Sequence, residues 1–547
     1  MSQPPPSTPR PILTNTTNVE SSQTSQPDDS KTLVLRSPTS TTKRRADRNW
    51  TLGTRKRVKI ENKRVEEEET SDESDSDSDS DLEEPIPSAR RHNVFGIRDA
   101  WMMAGPSSLG KLATLPTRPM LQAFVSSEHS DIYHCISQYP QTLVTVPYAC
   151  AYSHGAKRGE NDLLAVATEE GSTFIVPTPV REPWDNDPSR EWQRAHSDAI
   201  FDIQWSPSDK LIATVSADNM VRIRQAEGTI AVRGAALHKM YHHRNTIKCA
   251  AWDPVREDNV ICTASRDGMI CVWDLRVGDG DGIDSRRPVA VISNAHGTGK
   301  RAKSTITAPA VRGVTSIVFP EHDSNVIISS GAFDGSLHQW DMRFLDAKRH
   351  ETRQRVSPKP ITTPLLTSID PTTYNGNRRG RGITSLVHGT AASAGLLFAL
   401  SADSRIHTYD ARTLEPLSGS TAGPETDAWS YAHETMRAYS FYVRLSLSPC
   451  GRWLASGGSK EGTVYLYDVT SSATARRRGC GGDMRARCVR LHGQAGEIGA
   501  VDWAKDTLAS CADDRTVRIW RQDLELYRRC REDPEEMKLD WTWSVEE

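Results

Sequence analysis

Two sets of residues in this chain have the types that hydrolysis requires: His196, Ser216 and Asp218, and again His243, Ser265 and Asp267, the latter followed by Trp273. A hydroxyl, an imidazole and a carboxylate in reach of one another can activate an oxygen nucleophile. Here the set recurs, and an active site needs one copy. The recurrence therefore reads as architecture: a histidine, a serine, an aspartate and a closing tryptophan hydrogen-bonded together inside a repeat. The sequence contains no Gly-x-Ser-x-Gly elbow, no Gly-x-x-x-x-Gly-Lys loop and no His-Glu-x-x-His pair, so an enzyme reading lacks a nucleophile, a phosphate cradle and a metal. The ten cysteines form no Cys-x-x-Cys pair, which speaks against a tetrahedral zinc site. Cys249, Cys262 and Cys271 sit in apolar runs and read as small buried hydrophobes. No metal or cofactor is expected. A second chemistry is recognition. Trp273-Asp274-Leu275-Arg276 and Trp340-Asp341-Met342-Arg343 place an arginine two residues after the aspartate, with a weaker third copy at Tyr409-Asp410-Ala411-Arg412. Arginine offers a planar group with several donors, suited to the carboxylates and carbonyls of a partner.

The elements that position these residues repeat along the chain. An acidic residue stands six positions before a closing aromatic or apolar residue at Asp218–Arg224, Asp267–Trp273, Asp334–Trp340, Asp403–Tyr409, Glu461–Tyr467 and Asp514–Trp520, with a degenerate first copy at Glu170–Val176. Upstream of several anchors lies a second apolar run ending in tryptophan, as at Trp205, Trp252 and Trp503. Spacings of 48 to 69 residues between anchors exceed a WD-repeat unit of about 40 to 45, the excess being inserted loop. The expected fold is all-β: a seven-bladed WD-repeat β-propeller with a disordered N-terminal tail. His196, Asp218, His243, Asp267, Trp273, Asp334, Trp340, Asp403, Asp514 and Trp520 are the expected blade anchors. Arg224 in a closing-tryptophan position, Gln339 before Trp340, and Val176 depart from the pattern. A ring borrows a strand from one terminus to close; the stretch Leu121–Ile136 is the candidate, and the segment holding Trp541 and Trp543 the alternative.

The chain has 547 residues, 36% of them hydrophobic, and a formal net charge of -3. That suffices for one large all-β domain with flanking sequence. It divides into a disordered tail at 1–90, a pre-propeller segment at 91–120, the propeller at 121–525, and a short C-terminal tail at 526–547. The absence of a long apolar run and of an apolar N-terminal core leads us to expect a soluble, intracellular protein. In the tail, Lys43, Arg44 and Arg45, then Arg55, Lys56, Arg57 and Lys59, have the two-cluster spacing of a bipartite nuclear import signal. The expected location is the nucleus. Glu66–Glu69 and the Ser/Asp alternation at 71–81 form an acidic tract, whose serines suit an acidophilic kinase. Residues 93–103 turn apolar and aromatic, as a segment that packs on the propeller or docks a partner would.

The paired tetrapeptides resemble those of substrate receptors of cullin-four ubiquitin ligases. Within that class the chain is most similar to the denticleless type, over about residues 143–521. Leu163–Gly171, Ser265-Arg266-Asp267-Gly268, Gly331–Gly335, and above all Phe441–Pro449 carry this match, together with an insertion after Asn294-Ala295-His296. The resemblance implies a non-catalytic receptor in which Asp274, Arg276, Asp341 and Arg343, with Arg412, face the ligase's propeller adaptor. It also implies substrates bound to the replication sliding clamp, whose basic degron residue would meet an acidic and aromatic patch on the face away from the adaptor. The loops at Lys300–Lys303 and Lys348–His350, with Arg353, Arg355, Arg378, Arg379 and Arg381, read as solvated; weak contact with DNA phosphates is the second reading. The competing assignment is a nuclear chromatin scaffold, a histone-binding or corepressor subunit, which would not need the paired arginines.

Overall fold

In the computed structural model the described residues are 118–545, without 140–141, 183, 186–190, 227–235, 278–286, 298–311, 322, 345–362, 375–378, 418–426, 428 and 471–487. The acidic tract, the import-signal residues Lys43, Arg44, Arg45, Arg55, Lys56, Arg57 and Lys59, the segment 93–103, and most of the basic loops lie outside them.

The β-runs pair in sequence order into antiparallel sheets. Pro147–Tyr152, Leu163–Thr168, Ser172–Pro177 and Glu191–Arg194 make the first, and Ile200–Trp205, Leu211–Ser216, Met220–Gln225 and His238–Tyr241 the second. The third is Ile247–Trp252, Val260–Ser265, Ile270–Asp274 and Ala290–Ile292; the fourth is Val314–Val318, Val326–Gly331, Leu337–Asp341 and Leu366–Thr367. Ile383–His388, Leu396–Ser401, Arg405–Asp410 and Ser430–Tyr431 form the fifth. Where two further separate blades are expected, a single ten-stranded sheet stands instead. It joins the run Leu445–Leu447, Trp453–Ser456, Thr463–Asp468, Cys488–His492 to the run Ile498–Trp503, Thr507–Ala512, Thr516–Gln522. The protein is an all-β WD-repeat propeller.

Both chain ends take part in joining those two runs. Phe124–Ser127 pairs with Thr516–Gln522 on one side and with Trp541–Val545 on the other, and Trp541–Val545 continues to Cys488–His492. The two closure candidates are thus neighbours in one sheet, and the region expected as a C-terminal tail holds a strand. Arg518, 3% exposed, forks onto Glu128 at 2.9 and 3.0 Å, and Arg521 reaches Asp131 at 2.9 Å. These pairs fix the closing segment to the strand beneath it, which a purely local repeat cannot specify.

The first strand of each sheet lines a central channel of about 620 Å³, and in the first five sheets it carries a register irregularity near its start, as at Ile200/Asp202 and Ile383/Ser385. An extra residue there bends the strand and re-aims a side chain. The re-aimed groups meet a need: a strand at a sheet edge has unpaired N–H groups. Asp202 Oδ2 accepts from Ala250 N at 3.0 Å, Ser316 Oγ from Leu386 N at 3.3 Å, and Ser385 Oγ from Leu445 N at 3.1 Å. At these junctions one blade satisfies the next one's edge. Between neighbouring blades lie apolar clusters containing Trp273, Trp340, Trp503 and Trp520, each 1–2% exposed.

Three departures are absorbed in place. Arg224, where a tryptophan is expected, is 7% exposed, bonds to Gln193, and is pushed down to about 10 by burial. Gln339 is 4% exposed with its carbonyl oxygen unpaired among the described residues, and Val176 packs at 4% exposure.

Candidate functional site

The histidine and aspartate sets are buried fastenings. His243 Nδ1 bonds Asp267 Oδ2 at 3.2 Å, and its Nε2 meets Thr263 Oγ1 at 2.9 Å. Trp273 Nε1 donates to the same hydroxyl at 2.9 Å. His196 repeats this with Asp218 at 3.0 Å and Thr214 at 2.8 Å. The bridging hydroxyl thus stands two residues before the expected serine, on the same strand face. Ser216 and Ser265 instead accept from Asp218 N and Asp267 N at 3.1 Å, shaping the turn. His243 and His196 side chains are 0% exposed, so no substrate reaches them and a triad is not formed.

The other anchors vary around this plan. His296 and Trp340 share Ser329 Oγ at 3.0 and 2.9 Å, while His296 lies 3.6 Å from Asp334, which takes Arg312 at 2.8 Å. Asp403, in the turn before the strand Arg405–Asp410, holds His407 of that strand at 3.0 Å, and no histidine precedes that repeat at the usual place. Gln494 replaces the histidine near Asp514: it accepts from Ser510 Oγ at 2.5 Å, and Trp520 Nε1 donates to Ser510 at 3.0 Å. Burial and stacking make imidazole charging costly. His196 lies below its ordinary value, chiefly by burial, and His338, 4.2 Å from the His296 ring, is pushed down to about 4. A histidine whose folded value is depressed favours the fold above its unfolded value of about 6.5 and loses that contribution as pH falls. The melting temperature is therefore expected to begin to decline between about pH 6.5 and 5, before ordinary carboxylates titrate; an unchanged melting temperature from pH 7.5 to 5 contradicts this.

At the opposite end of the strands the Trp-Asp-x-Arg turns have one geometry. Asp274 Oδ1 accepts from Arg276 N at 3.0 Å and Nε at 2.9 Å, and Oδ2 from Nη2 at 2.7 Å. Asp341 does the same for Arg343, at 2.9, 3.0 and 2.6 Å. The intervening residue is tied down identically: Leu275 N donates to Asn259 O, and Met342 N to Asn325 O, both at 2.7 Å. A fork of this kind fixes the plane of a guanidinium. The arginines hold both carboxyls below the usual range. Arg276 and Arg343 side chains are 61% and 58% exposed, their aspartates only 17% and 9%. Each turn is thus a cation on a buried anionic stem.

Arg256, which sequence reasoning missed, links the two turns. It pairs with the buried Asp253 and donates to Ser324 O at 3.1 Å and to Asn325 Oδ1. The loop under one arginine is so fastened to the loop under the next. The only sequence signal is the Asp253-x-x-Arg256 spacing. Val277, the residue after Arg276, is 53% exposed, and Val255 on the Arg256 loop 67%. The third copy differs. Asp410 is 1% exposed and its Oδ1 accepts from the backbone of both Arg412 and Thr413, so among the described residues the fork occurs at the first two tetrapeptides.

Cys249, Cys262 and Cys271 are buried, and burial pushes the Cys249 thiol up to about 12. Among the described residues no cluster of His, Cys, Asp and Glu could hold a metal ion, and no helix is long and apolar enough to cross a membrane.

Comparison with known proteins agrees with this architecture. The WD domain, G-beta repeat model matches residues 433–468 and 486–521, and the Anaphase-promoting complex subunit 4 WD40 domain model matches 159–255. The Denticleless protein homolog of Danio rerio is 30% identical over 416 residues, 73% of this chain and 56% of the relative. That of Homo sapiens is 29% identical over 402 residues, 70% and 48%. Cell division cycle protein cdt2 of Schizosaccharomyces pombe is 30% identical over 380 residues, 66% of this chain and 67% of its own length. The chain spans about half the length of the animal relatives it matches.

Proposed function

This chain belongs to the denticleless family of WD-repeat proteins, and from that premise we propose that it is the substrate-recognition subunit of a cullin-four RING ubiquitin ligase. The observation that carries the reading is the pair of matching forks at Asp274/Arg276 and Asp341/Arg343. They would engage the ligase's propeller adaptor, with Arg412 a lesser contact. Adjacent arginines with fixed guanidinium planes, on loops bound together by Arg256, suit a rigid protein partner because little side-chain freedom is lost on docking.

We read the ten-stranded sheet as two blades joined through Phe124–Ser127 and Trp541–Val545, which brings the ring to seven. On this account the receptor works in the nucleus and performs no chemistry of its own; a recruited conjugating enzyme transfers ubiquitin. Its substrates are replication and cell-cycle proteins presented on the sliding clamp, with at most weak DNA contact through the basic loops. A chromatin scaffold would share the ring and the basic clusters but gives no reason for two matching forks.

Reconstitution tests the proposal. Purified cullin-four ligase, adaptor and conjugating enzyme are expected to ubiquitinate clamp-bound substrate only when this chain is added. Equal transfer without the chain, or with the Arg276→Ala/Arg343→Ala chain, would sink it.

A further inference from the structure

In the second repeat the closing position holds a charge. Arg224, on the strand Met220–Gln225, follows Thr214 at the spacing by which Trp273 follows Thr263 and Trp520 follows Ser510. In those two repeats the indole donates to the hydroxyl. Here Thr214 Oγ1 meets His196 Nε2 at 2.8 Å and donates to Arg222 O at 3.3 Å, with no bond from Arg224. Arg224 is 7% exposed. A guanidinium offers five N–H donors, and among the described residues this one meets a single acceptor, the neutral amide oxygen of Gln193 in the neighbouring blade. Its Nε is left without a partner.

Arg222 stands two residues earlier on the same strand, so both side chains lie on one face of the sheet. Its cross-strand neighbours are Thr214 and, on the outer strand, Lys239, a third cation. Arg222 is half-buried, its Nε is enclosed, and its guanidinium has no acceptor among the described residues. The Asp218 carboxylate is already taken: it accepts from His196 Nδ1 at 3.0 Å, Ser197 N at 3.3 Å and Met220 N at 3.1 Å. Burial is what pushes Arg224 down to about 10, which leaves it charged at neutral pH, and no carboxylate among the described residues answers it. His196 is lowered chiefly by burial, and the positive charges of Arg222 and Arg224 add to that, so both arginines crowd the same side of the repeat. Taking a charge out of water without a counter-charge is costly. What this pair lacks is an anion.

We infer that Arg222 and Arg224 form a binding site for a phosphate group between the first and second blades. Arg222 is the half-open entrance and Arg224 the buried wall. The donor set selects the ligand. Two guanidinium groups present planar forks and two positive charges; a phosphate brings a charge near -2 and at least three acceptor oxygens, whereas a carboxylate brings half the charge and two oxygens. Free phosphate and a phosphorylated serine or threonine side chain offer the same oxygens. Bound here, the group would neutralise the pair and brace the second blade against the strand that carries Gln193. The inference does not depend on the receptor reading.

The test follows the melting temperature of the full chain as inorganic phosphate replaces chloride at constant pH and ionic strength, up to about 10 mM, where general exclusion of phosphate from the protein surface is still slight. A saturating rise of about 2 °C is expected. Arg224→Trp installs the side chain found at Trp273, Trp340 and Trp520, so this chain should melt no lower than the wild type without phosphate and gain nothing from it. Arg222→Gln, at a half-buried position, should lose most of the gain. N-acetyl-phosphoserine amide is the second probe. A rise with it assigns the site to a phosphorylated side chain; a rise with inorganic phosphate alone assigns it to the free ion. No saturating rise with either probe, or a rise as large in the R222Q or R224W chain as in the wild type, overturns the inference.

Discussion

A chain carrying Arg276→Ala and Arg343→Ala is expected to emerge from affinity purification without the cullin-four adaptor that accompanies the wild type, while melting at the wild-type temperature. Both side chains are more than half exposed, and surface changes of this kind usually alter stability by no more than about 0.5 kcal/mol. Binding is another matter. Arginine anchors at an interface centre cost about 2 kcal/mol or more when truncated, so losing both should weaken the complex by about a thousandfold. Asp274→Asn/Asp341→Asn should weaken it less. The arginines stay but lose the fixed plane, and what is added is the entropy of ordering two side chains, about 1 kcal/mol each. Equal adaptor recovery from wild type and the double arginine variant contradicts the assignment of the site.

Asp267→Ala is expected to have the largest effect on stability. The carboxylate accepts from His243 Nδ1, from Arg244 N at 2.8 Å and from Met269 N at 2.9 Å. Removing it strands a fully buried imidazole and two turn N–H groups. Unsatisfied buried donors cost about 1–3 kcal/mol each, and the effects overlap, so a total of about 3 kcal/mol is expected. Thr263→Val attacks the other end of the same relay, where the hydroxyl lies between Trp273 Nε1 and His243 Nε2. It should cost about as much, and the double variant less than the sum. Chemical denaturation checks this; an Asp267→Ala chain unfolding at the wild-type midpoint contradicts it.

Much of this was legible in the sequence because a blade is a local object. Asp218, Asp267 and Asp514 sit at turns between strands a few residues apart, and the anchor-to-tryptophan spacing of Asp267–Trp273 and Asp514–Trp520 follows from the strand between them. The hydroxyl two residues earlier was missed because Thr263 and Ser265 face the same way on one strand, and only three-dimensional placement tells which meets the histidine. Ring closure was undecided between two ends because pairing of Phe124–Ser127 with Thr516–Gln522 and Trp541–Val545 joins parts of the chain that no repeat period relates. Arg276 and Arg343 were visible as residue types, but their forks were not. Whether an arginine turns back on its aspartate depends on what else claims the carboxylate. At Asp410 two backbone N–H groups do so.

If the adaptor docks on the forks, hydrogen–deuterium exchange on the chain with and without purified adaptor reads that contact directly. Protection is predicted at residues 253–259, 274–277, 323–325 and 341–344, which carry and support the forks, with exchange at 439–444 and 495–499 unchanged. Protection around Phe441 and Glu497 instead, with the fork loops exchanging as in the free chain, would contradict it.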